Sequence, residues 1–157
     1  MESTKPSLAW SWYRLAEMQP IMLYDMLALR ESIFVVEQKC IYHELDGRDK
    51  TARHLVATLE NQLVACLRML DPEDKDSPVR IGRVAVMTNW RGQGVARKMV
   101  QKAIGKAQKR HPSHLLYLEA QSYLVGFYKS LGFEECGPEF IEDGIPHVPM
   151  QFEHQPG

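Results

Sequence analysis

The sequence has few cysteines, no excess of positive charge and no long apolar run, and each absence excludes a class of protein. Its three cysteines, Cys40, Cys66 and Cys136, stand far apart, without a CxxC pair or the Cys/His spacing of a metal site. We therefore expect a reduced, cytoplasmic protein that holds no metal. The formal net charge is −1, which gives no electrostatic basis for binding nucleic acid. No apolar run is long enough to span a bilayer, and Met1–Ser7 lacks the apolar core of a signal peptide.

Two common phosphate-binding motifs are also missing. The P-loop pattern G-x-x-x-x-G-K-S/T does not occur. The dinucleotide pattern G-x-G-x-x-G fails because Arg97 stands where the third glycine belongs, and no acid follows about 20 residues later. An unrelated mononucleotide binder is therefore only a weak alternative.

The most informative stretch that is present is Ile81–Ile104, which reads IGRVAVMTNWRGQGVARKMVQKAI. Its apolar, β-branched beginning, Ile81–Met87, predicts a buried strand. Apolar residues recur at helical spacing from Val95, which predicts a helix that ends near Arg110. The glycine turn Arg91–Gly94 lies between them. Free N–H groups and the positive dipole end at a helix start attract phosphate oxygens, so this turn suits an anion, although it is equally consistent with simple glycine capping.

The element order predicts an α/β fold with a mixed sheet and helices on its faces. A chain of 157 residues is expected to form one domain, 1–157, with its core at about 10–152. The predicted strands are Trp10–Leu15, Arg53–Glu60, Leu63–Leu70, Ile81–Met87, Leu115–Gln121, Phe133–Cys136 and Pro146–Phe152. The predicted helices are Ile21–Ile33, which either ends there or continues through Phe34–Gln38, then the helix from Val95, and Ser122–Leu131.

A second motif follows the Leu115–Gln121 strand and reads QSYLVGFYKSLGF. Together the two motifs resemble the GNAT acetyltransferase superfamily. Its coenzyme A loop, Arg/Gln-x-x-Gly-x-Gly/Ala, falls on Arg91, Gly94 and Ala96. Its N-x-x-A-x-x-L/F-Y-x-x-x-G-F pattern falls on Gln121–Phe133, with Gln121 for the usual Asn and Leu124 for the usual Ala. Further matches resemble the ElaA-type branch, namely Phe34–Gln38, Asp46-Gly47, His54, Gly82–Val86, Ala120-Gln121 and Asp143–His147.

This resemblance implies an N-acetyltransferase that uses acetyl-CoA as its acetyl donor. The amine of a small molecule or peptide would attack the thioester directly, through a tetrahedral intermediate. The family's sheet is mostly antiparallel and splayed, so that strands bearing Val84–Val86 and Leu118–Ala120 diverge and the pantetheine arm pairs with their exposed main chain. The implied cofactor-binding residues are Val84, Ala85, Val86, Arg91, Gly92, Gln93, Gly94, Val95, Ala96, Arg97 and Gln121. Homodimers are common in this family, so a homodimer is an open expectation.

The reaction needs a proton donor for the leaving thiolate, and Tyr128 occupies the position of the family's general acid. A phenol with a pKa of about 10 stays protonated at neutral pH and can supply that proton. The structural alternative for Tyr128 is a core aromatic whose hydroxyl is satisfied within the protein.

The reaction also needs a neutral amine, and a lysine-like amine with a pKa of about 10.4 requires a base. Several GNAT enzymes carry a Glu or His base on the strand before the phosphate loop, but this strand offers only Arg80 and Arg83. Glu119 is our first candidate, because its strand lines the gap; a structural carboxylate is the alternative. Glu37 and His147 are second-rank candidates.

Two polar groups admit both a functional and a structural interpretation. Arg68 and Arg83 are expected to be neighbours if the strands between them pair. Arg83 then either holds an acceptor carboxylate through bidentate hydrogen bonds or forms a surface or internal ion pair. Glu44, Asp46 and Asp49 form an acidic loop that either attracts a cationic acceptor or is merely solvated.

Two functions from different classes follow. The favoured one is an acetyltransferase, which the motif tyrosine supports. The rival is a non-catalytic module that binds and senses CoA or acyl-CoA, which the missing strand base leaves open.

Overall fold

The computed structural model describes residues 7–154, which fold around one eight-stranded sheet. Its strands are β1 (Ala9–Arg14), β2 (Arg53–Leu59), β3 (Gln62–Leu70), β4 (Val79–Val86), β5 (Leu116–Gln121), β6 (Glu134–Glu135), β7 (Phe140–Glu142) and β8 (Ile145–Phe152). Their order is β1-β2-β3-β4-β5-β8-β6, and β7 also pairs with β8. Within this sheet β4 and β5 run parallel, and the other pairs are antiparallel. The predicted mixed, mostly antiparallel α/β fold is confirmed.

The helices are α1 (Pro20–Glu31), α2 (Val95–Arg110) and α3 (Val125–Lys129). The helix after Pro20 does continue through the stretch that the sequence left open, but as a π-helical segment, Ser32–Glu37. No glycine or proline interrupts this stretch, so nothing in it forces the helix to stop. Single π turns often occur at functional sites. The predicted helix Ser122–Leu131 is shorter, because a 3-10 turn occupies its first residues and α3 ends at Lys129.

Helices cover both faces of the sheet. On one face α2 buries Met99, Val100, Ala103 and Ala107, whose helical spacing forms a single apolar stripe. On the other face α1 packs over β3 and β4, where its Met26 is almost completely buried. Full burial of a side chain of this size contributes about 1.5–3 kcal/mol, so these stripes fix how the helices sit on the sheet.

The last third of the chain differs most from the prediction. The sequence did not predict β7, and the predicted strand Phe133–Cys136 is reduced to the two residues of β6. Asp143 and Gly144 both have positive φ, 51° and 77°, which suits the two-residue turn that joins β7 to β8. A hairpin therefore projects from the β8 edge, where the sequence predicted only a loop.

The sheet opens between β4 and β5. These strands pair only at Val79↔Leu116 and Arg80↔Tyr117 and then part. The pairing of β4 with β3 shifts between Cys66 and Arg68, which marks a bulge in which Arg83 has φ 50°. A bulge bends its strand and increases the local twist, so it turns β4 away from β5. The predicted divergence of these two strands is confirmed.

Candidate active site

The gap between β4 and β5 opens into a cleft of about 1100 Å³. Its lining includes seven of the predicted catalytic and cofactor-binding residues: Val84, Val86, Arg91, Ala96, Glu119, Gln121 and Tyr128. The π-helical segment and the loop after it form one wall, and the β7–β8 hairpin forms another. The divergence of the two strands thus brings residues from distant parts of the chain into one space.

The glycine turn leaves main-chain donors at the start of α2. Gly92 and Gly94 have φ of 75° and 79°, a conformation that glycine adopts at little cost. Within residues 7–154, no main-chain oxygen accepts a hydrogen bond from the N–H groups of Gly92–Arg97. The N–H of Lys98 is the first to close a helical turn, onto the Gly94 oxygen at 3.1 Å. Free N–H groups at a helix N-terminus form an anion site.

Arg91 begins this turn, and its guanidinium is engaged by other parts of the chain. Its two terminal nitrogens each lie 2.9 Å from an oxygen of Glu37, on the π-helical segment. Its Nε donates to the Val86 carbonyl at 3.3 Å. Arg91, predicted to bind the cofactor, and Glu37, a second-rank base, are therefore brought together as an ion pair on the lining of the cleft.

The other predicted cofactor-binding residues either point into the core or hydrogen-bond to other parts of the protein. The Ala85 and Val95 side chains lie in the core, so only their main-chain groups can face a ligand. Arg97 donates to the Ser130 hydroxyl at 2.6 Å and lies over the Phe127 ring. The Gln93 side chain donates to the Asn89 carbonyl at 3.1 Å. Because these side chains are engaged within the protein, the main-chain amides are the polar groups of the loop that remain available to a ligand.

Tyr128 is buried at the edge of the cleft, with 7% of its surface exposed. Edge-to-face contacts with Phe127 and Phe133 fix its ring. Its hydroxyl has no hydrogen-bond partner among the described residues. Burial, with a smaller contribution from Tyr123, raises the pKa of Tyr128 to about 12. The hydroxyl is therefore protonated at neutral pH and free to donate into the cleft.

Glu119 meets a partner that the sequence did not reveal. The Tyr117 hydroxyl donates to Glu119 at 3.3 Å, and an Arg80 nitrogen lies 3.8 Å away. Glu142, on β7, lines the same cleft as Glu119. Burial and the neighbouring charge of Glu119 raise the pKa of Glu142. No sequence signal marked Glu142, because its position depends on a strand that exists only by pairing with β8.

Arg68 and Arg83 are neighbours, as expected, and both are engaged in ion pairs. Arg68 holds both oxygens of Asp46, at 2.8 and 2.9 Å. The Nε of Arg83 lies 3.0 Å from Glu44. Beneath them the fully buried Arg30 bonds Glu44 at 2.6 Å and a third acid, Asp49, at 2.7 Å. The ion-pair interpretation therefore holds for Arg68 and Arg83. The interpretation of the acidic loop as merely solvated is wrong, because Glu44 and Asp49 are buried and paired with arginines.

His147, the other second-rank base, is oriented by its own strand. Its Nδ1 lies 2.7 Å from the Ile145 carbonyl, and its ring stacks on Phe140.

Residues 7–154 contain no helix long and apolar enough to cross a membrane. In the same range, no three His, Cys, Asp or Glu side chains are grouped so that they could hold a metal ion.

Comparison with known proteins gives the same result as the fold and the cleft. The family model of the acetyltransferase (GNAT) domain matches residues 26–154. Protein ElaA of Escherichia coli is 38% identical over 145 residues, which cover 91% of this chain and 95% of ElaA. The crystal structure of E. coli ElaA superposes with a TM-score of 0.88, covering 94% of this chain and 100% of that one.

Two further solved structures are similar. An acyl-CoA N-acyltransferase of Pseudomonas aeruginosa is 38% identical, with a TM-score of 0.86 over 93% of this chain and 99% of that one. A GNAT acetyltransferase of Elizabethkingia anophelis, with acetyl-CoA bound, covers 96% of this chain and 100% of its own. It shares the fold, with a TM-score of 0.65 at 15% identity.

The chain therefore belongs to the GNAT family of acyl-CoA N-acyltransferases. Within that family its similarity extends to ElaA along almost the whole chain of each protein.

Proposed function

We propose that this protein is an acetyl-CoA-dependent N-acetyltransferase, with residues 1–157 as one catalytic domain. The acceptor is an amine of a small molecule or a peptide. The observation that carries this proposal is the cleft itself, which joins free amides at the start of α2, the unpaired edges of β4 and β5, and the hydroxyl of Tyr128.

The residues present fit acetyl-CoA, which supplies an activated acyl carbon as a thioester. The amides of Gly92–Arg97 would hold its diphosphate, since a Cβ placed on Gly92 or Gly94 meets no atom within 4 Å. The edges of β4 near Val84–Val86 and of β5 near Gln121 have no strand partner in the gap, so they can hydrogen-bond an extended ligand. Because the bulged strand β4 leaves β5 after two paired positions, its main-chain N–H and C=O groups beyond them face the gap.

The remaining tasks fall to side chains of this chain. The raised pKa of Tyr128 keeps its proton available for the sulfur that departs. Glu119 lies on the lining of the same cleft and accepts the proton that the amine loses. Main-chain N–H groups of β4 in the gap polarise the acyl oxygen. The sensor function rested on the lack of a base, and a carboxylate in the cleft weakens that argument. A homodimer and a cytoplasmic location stay predictions.

The test is acceptor-dependent thiol release. Protein, acetyl-CoA and a panel of amines are incubated with a thiol-reactive dye, and Tyr128→Phe is compared with the wild type. We expect kcat to fall by about a hundredfold or more in Tyr128→Phe, because general acid catalysis contributes about that much, with CoA affinity unchanged.

The matched control is Tyr24→Phe, which removes an exposed hydroxyl on α1 and should have no effect. Full turnover by Tyr128→Phe would refute the acid role. A wild type that binds CoA tightly but releases no thiol with any amine would instead support the sensor.

A further inference from the structure

A groove separate from the cleft lies between β1 and α2. Its volume is about 290 Å³, and it shares no lining residue with the cleft. Trp10 and Trp12 line it from β1, and lysines line it from α2. The Nζ of Lys102 lies 5.4 Å from the centre of the Trp10 ring, and that of Lys106 lies 5.4 Å from the Trp12 ring. In this region α2 therefore follows β1 in the same direction.

Four lysines form a row along one side of α2, at helical spacing: Lys98, Lys102, Lys106 and Lys109. Neither α2 nor β1 contains an aspartate or a glutamate. Within residues 7–154, none of the four lysines forms an ion pair. Burial lowers the pKa of Lys106, and neighbouring positive charges, chiefly that of Arg110, lower it further. The described part of the protein thus leaves this positive charge unpaired, which favours an anionic ligand.

The groove borders an edge of the sheet. β1 is the outermost strand on this side, and β2 is the only described strand that pairs with it. The outer edge of β1 therefore presents main-chain N–H and C=O groups that have no strand partner in residues 7–154. Such an edge can accept an extended peptide as an additional strand. An added strand would place every second side chain on the face where Trp10, Trp12 and α2 lie.

The spacing of the lysine row matches that of an extended peptide. Lysines four residues apart on a helix stand about 6 Å apart along its axis. Every second side chain of a strand stands about 6.6–6.8 Å from the next. Because α2 follows β1 here, acids at alternate positions of an added strand would each meet a lysine of the row.

A second observation indicates that a ligand completes the groove. The indole N–H of Trp10, which lines the groove, is buried and has no hydrogen-bond partner among the described residues. Buried polar groups in proteins nearly always have such a partner. A carbonyl or carboxylate oxygen of a peptide seated beside Trp10 would supply the acceptor.

We propose that the groove between β1 and α2 binds an extended acidic segment of a partner protein. The segment adds to the outer edge of β1 as a strand, and acids at every second position face the lysine row. Because this surface lies outside the cleft, the inference does not depend on the proposed acetyl transfer.

Two other occupants fit the observations less well. A second copy of this chain, paired through β1 about a two-fold axis, would bring two lysine rows together, and neither strand carries an acid. A nucleic acid could neutralise the lysines, but it has no peptide groups to pair with a strand edge. The net charge of −1 also gives no long-range attraction for a polyanion. An acidic peptide satisfies the lysines and the strand edge together.

The experiment measures the fluorescence anisotropy of a labelled peptide of alternating glutamate and threonine at low salt. Three probes are compared with it: an isomer whose glutamates are contiguous, the analogue with glutamine for glutamate, and a single-stranded oligothymidine. The proteins are the wild type, Lys102→Gln/Lys106→Gln, and the matched control Lys50→Gln/Lys75→Gln. The control removes two exposed lysines that do not line the groove.

We expect the alternating peptide to bind the wild type and the control variant alike. Lys102→Gln/Lys106→Gln should bind it about fivefold or more weakly, because two exposed ion pairs together account for about that factor. The three other probes should bind the wild type more weakly than the alternating peptide does. High salt should weaken binding of the alternating peptide, because it screens the ion pairs.

Two N-methylated peptides test the pairing with the strand edge. Methylation of the glutamate amides and methylation of the threonine amides remove donors from opposite edges of an extended chain. We expect one of the two peptides to lose binding and the other to keep it. Amide NMR of the wild type should show shifts in β1 and along the lysine row when the unmodified peptide is added, but not at Tyr128 in the cleft.

Several results would overturn the proposal. These are failure of the alternating peptide to bind the wild type, equal binding of the contiguous isomer, equal binding by Lys102→Gln/Lys106→Gln, and identical behaviour of the two methylated peptides. Oligothymidine that binds as tightly as the peptide would make the groove a nucleic-acid site instead. The thermal midpoint of Lys102→Gln/Lys106→Gln, which should equal that of the control variant, shows that a loss of binding is not a loss of folding.

Discussion

Among single residues, Arg91 is the one whose surroundings differ most from the expectation. It stands at the motif position for the coenzyme loop, yet its guanidinium bonds Glu37 and the Val86 carbonyl. Both partners of the ion pair are about two-fifths exposed, at 41% and 45%. An exposed pair of this kind contributes at most about 1 kcal/mol, so a ligand diphosphate can compete for Arg91.

Replacing Glu37 should release Arg91 for that purpose. In Glu37→Gln the two ionic hydrogen bonds are lost, and the guanidinium can turn toward the amides of the glycine turn. We expect CoA to bind up to about fivefold more tightly, which corresponds to the 1 kcal/mol of the lost pair. Isothermal titration at low salt measures this change.

The control for this experiment is Glu31→Gln, an exposed carboxylate at the end of α1. High salt should reduce the gain, because it screens the interaction between the arginine and the phosphates. Equal or weaker CoA binding by Glu37→Gln would mean that the ion pair positions Arg91 for the ligand and does not compete with the ligand for it.

The sequence revealed the residues whose signals are local. Tyr128 and the glycine turn lie in short motifs, and Glu119 is exposed to the gap by strand alternation. The Arg91–Glu37 pair joins residues 54 positions apart, and Glu142 joins Glu119 on the lining of the cleft only through the β7–β8 hairpin. Contacts of this kind depend on the assembled fold, so no window of sequence contains them.

At the scale of elements, the strand, the glycine turn and α2 act as one anion-binding unit. A side chain at Gly94 would stand at the helix start, where the amides are free. Gly94→Glu adds bulk and negative charge there, so we expect CoA affinity to fall by at least about tenfold. The matched control is Gly47→Glu, because Gly47 has φ 83° and equally open surroundings.

Both variants carry the cost of a side chain in the left-handed region, about 1–2 kcal/mol, which urea unfolding measures. Only Gly94→Glu should lose CoA affinity. A similar loss in both proteins would indicate general destabilisation, and intact affinity in Gly94→Glu would refute the anion site.

The elements that the sequence predicted well are those with their own periodicity. The apolar stripe of α2 and the β-rich runs of β2 and β3 repeat over several residues, so their signals add up. β7 has only three residues and owes its existence to pairing with β8. The π-helical segment was ambiguous because an apolar run without breakers specifies neither the type of helix nor its end.

At the scale of the whole molecule, buried charges make stability depend on pH. Burial lowers the pKa of His54, which is almost fully enclosed and bonds the Asp49 carbonyl at 3.1 Å. Burial opposes the ionisation of Asp46, but hydrogen bonds from Arg68 and the Arg48 amide outweigh it and lower its pKa to about 2. The pKa of Asp49 is lowered in the same way, chiefly by Arg30.

These directions predict two stages of acid destabilisation. Since His54 is harder to protonate when folded, its contribution is complete above pH 6.5 and is lost as the pH falls below that value. The two carboxylates contribute above about pH 4, and their contribution is lost as the pH falls toward 2. The free energy of unfolding, from urea titrations between pH 8 and pH 2, should therefore fall in two steps.

His54→Gln should reduce the first step and leave the second. His154, whose pKa burial also lowers, would account for what remains of the first step. The exposed His43→Gln is the control and should keep both steps. A first step that is unchanged in His54→Gln would show that His54 does not cause it.

The short seam between β4 and β5 has a consequence for the molecule as a whole. Within the described part of the sheet, strands β1–β4 are joined to the remaining strands by only two paired positions, at Val79 and Arg80 of β4. A ligand that hydrogen-bonds both free strand edges at once connects the two halves of the sheet where the polypeptide itself does not. We therefore expect ligand binding to stiffen the entire sheet.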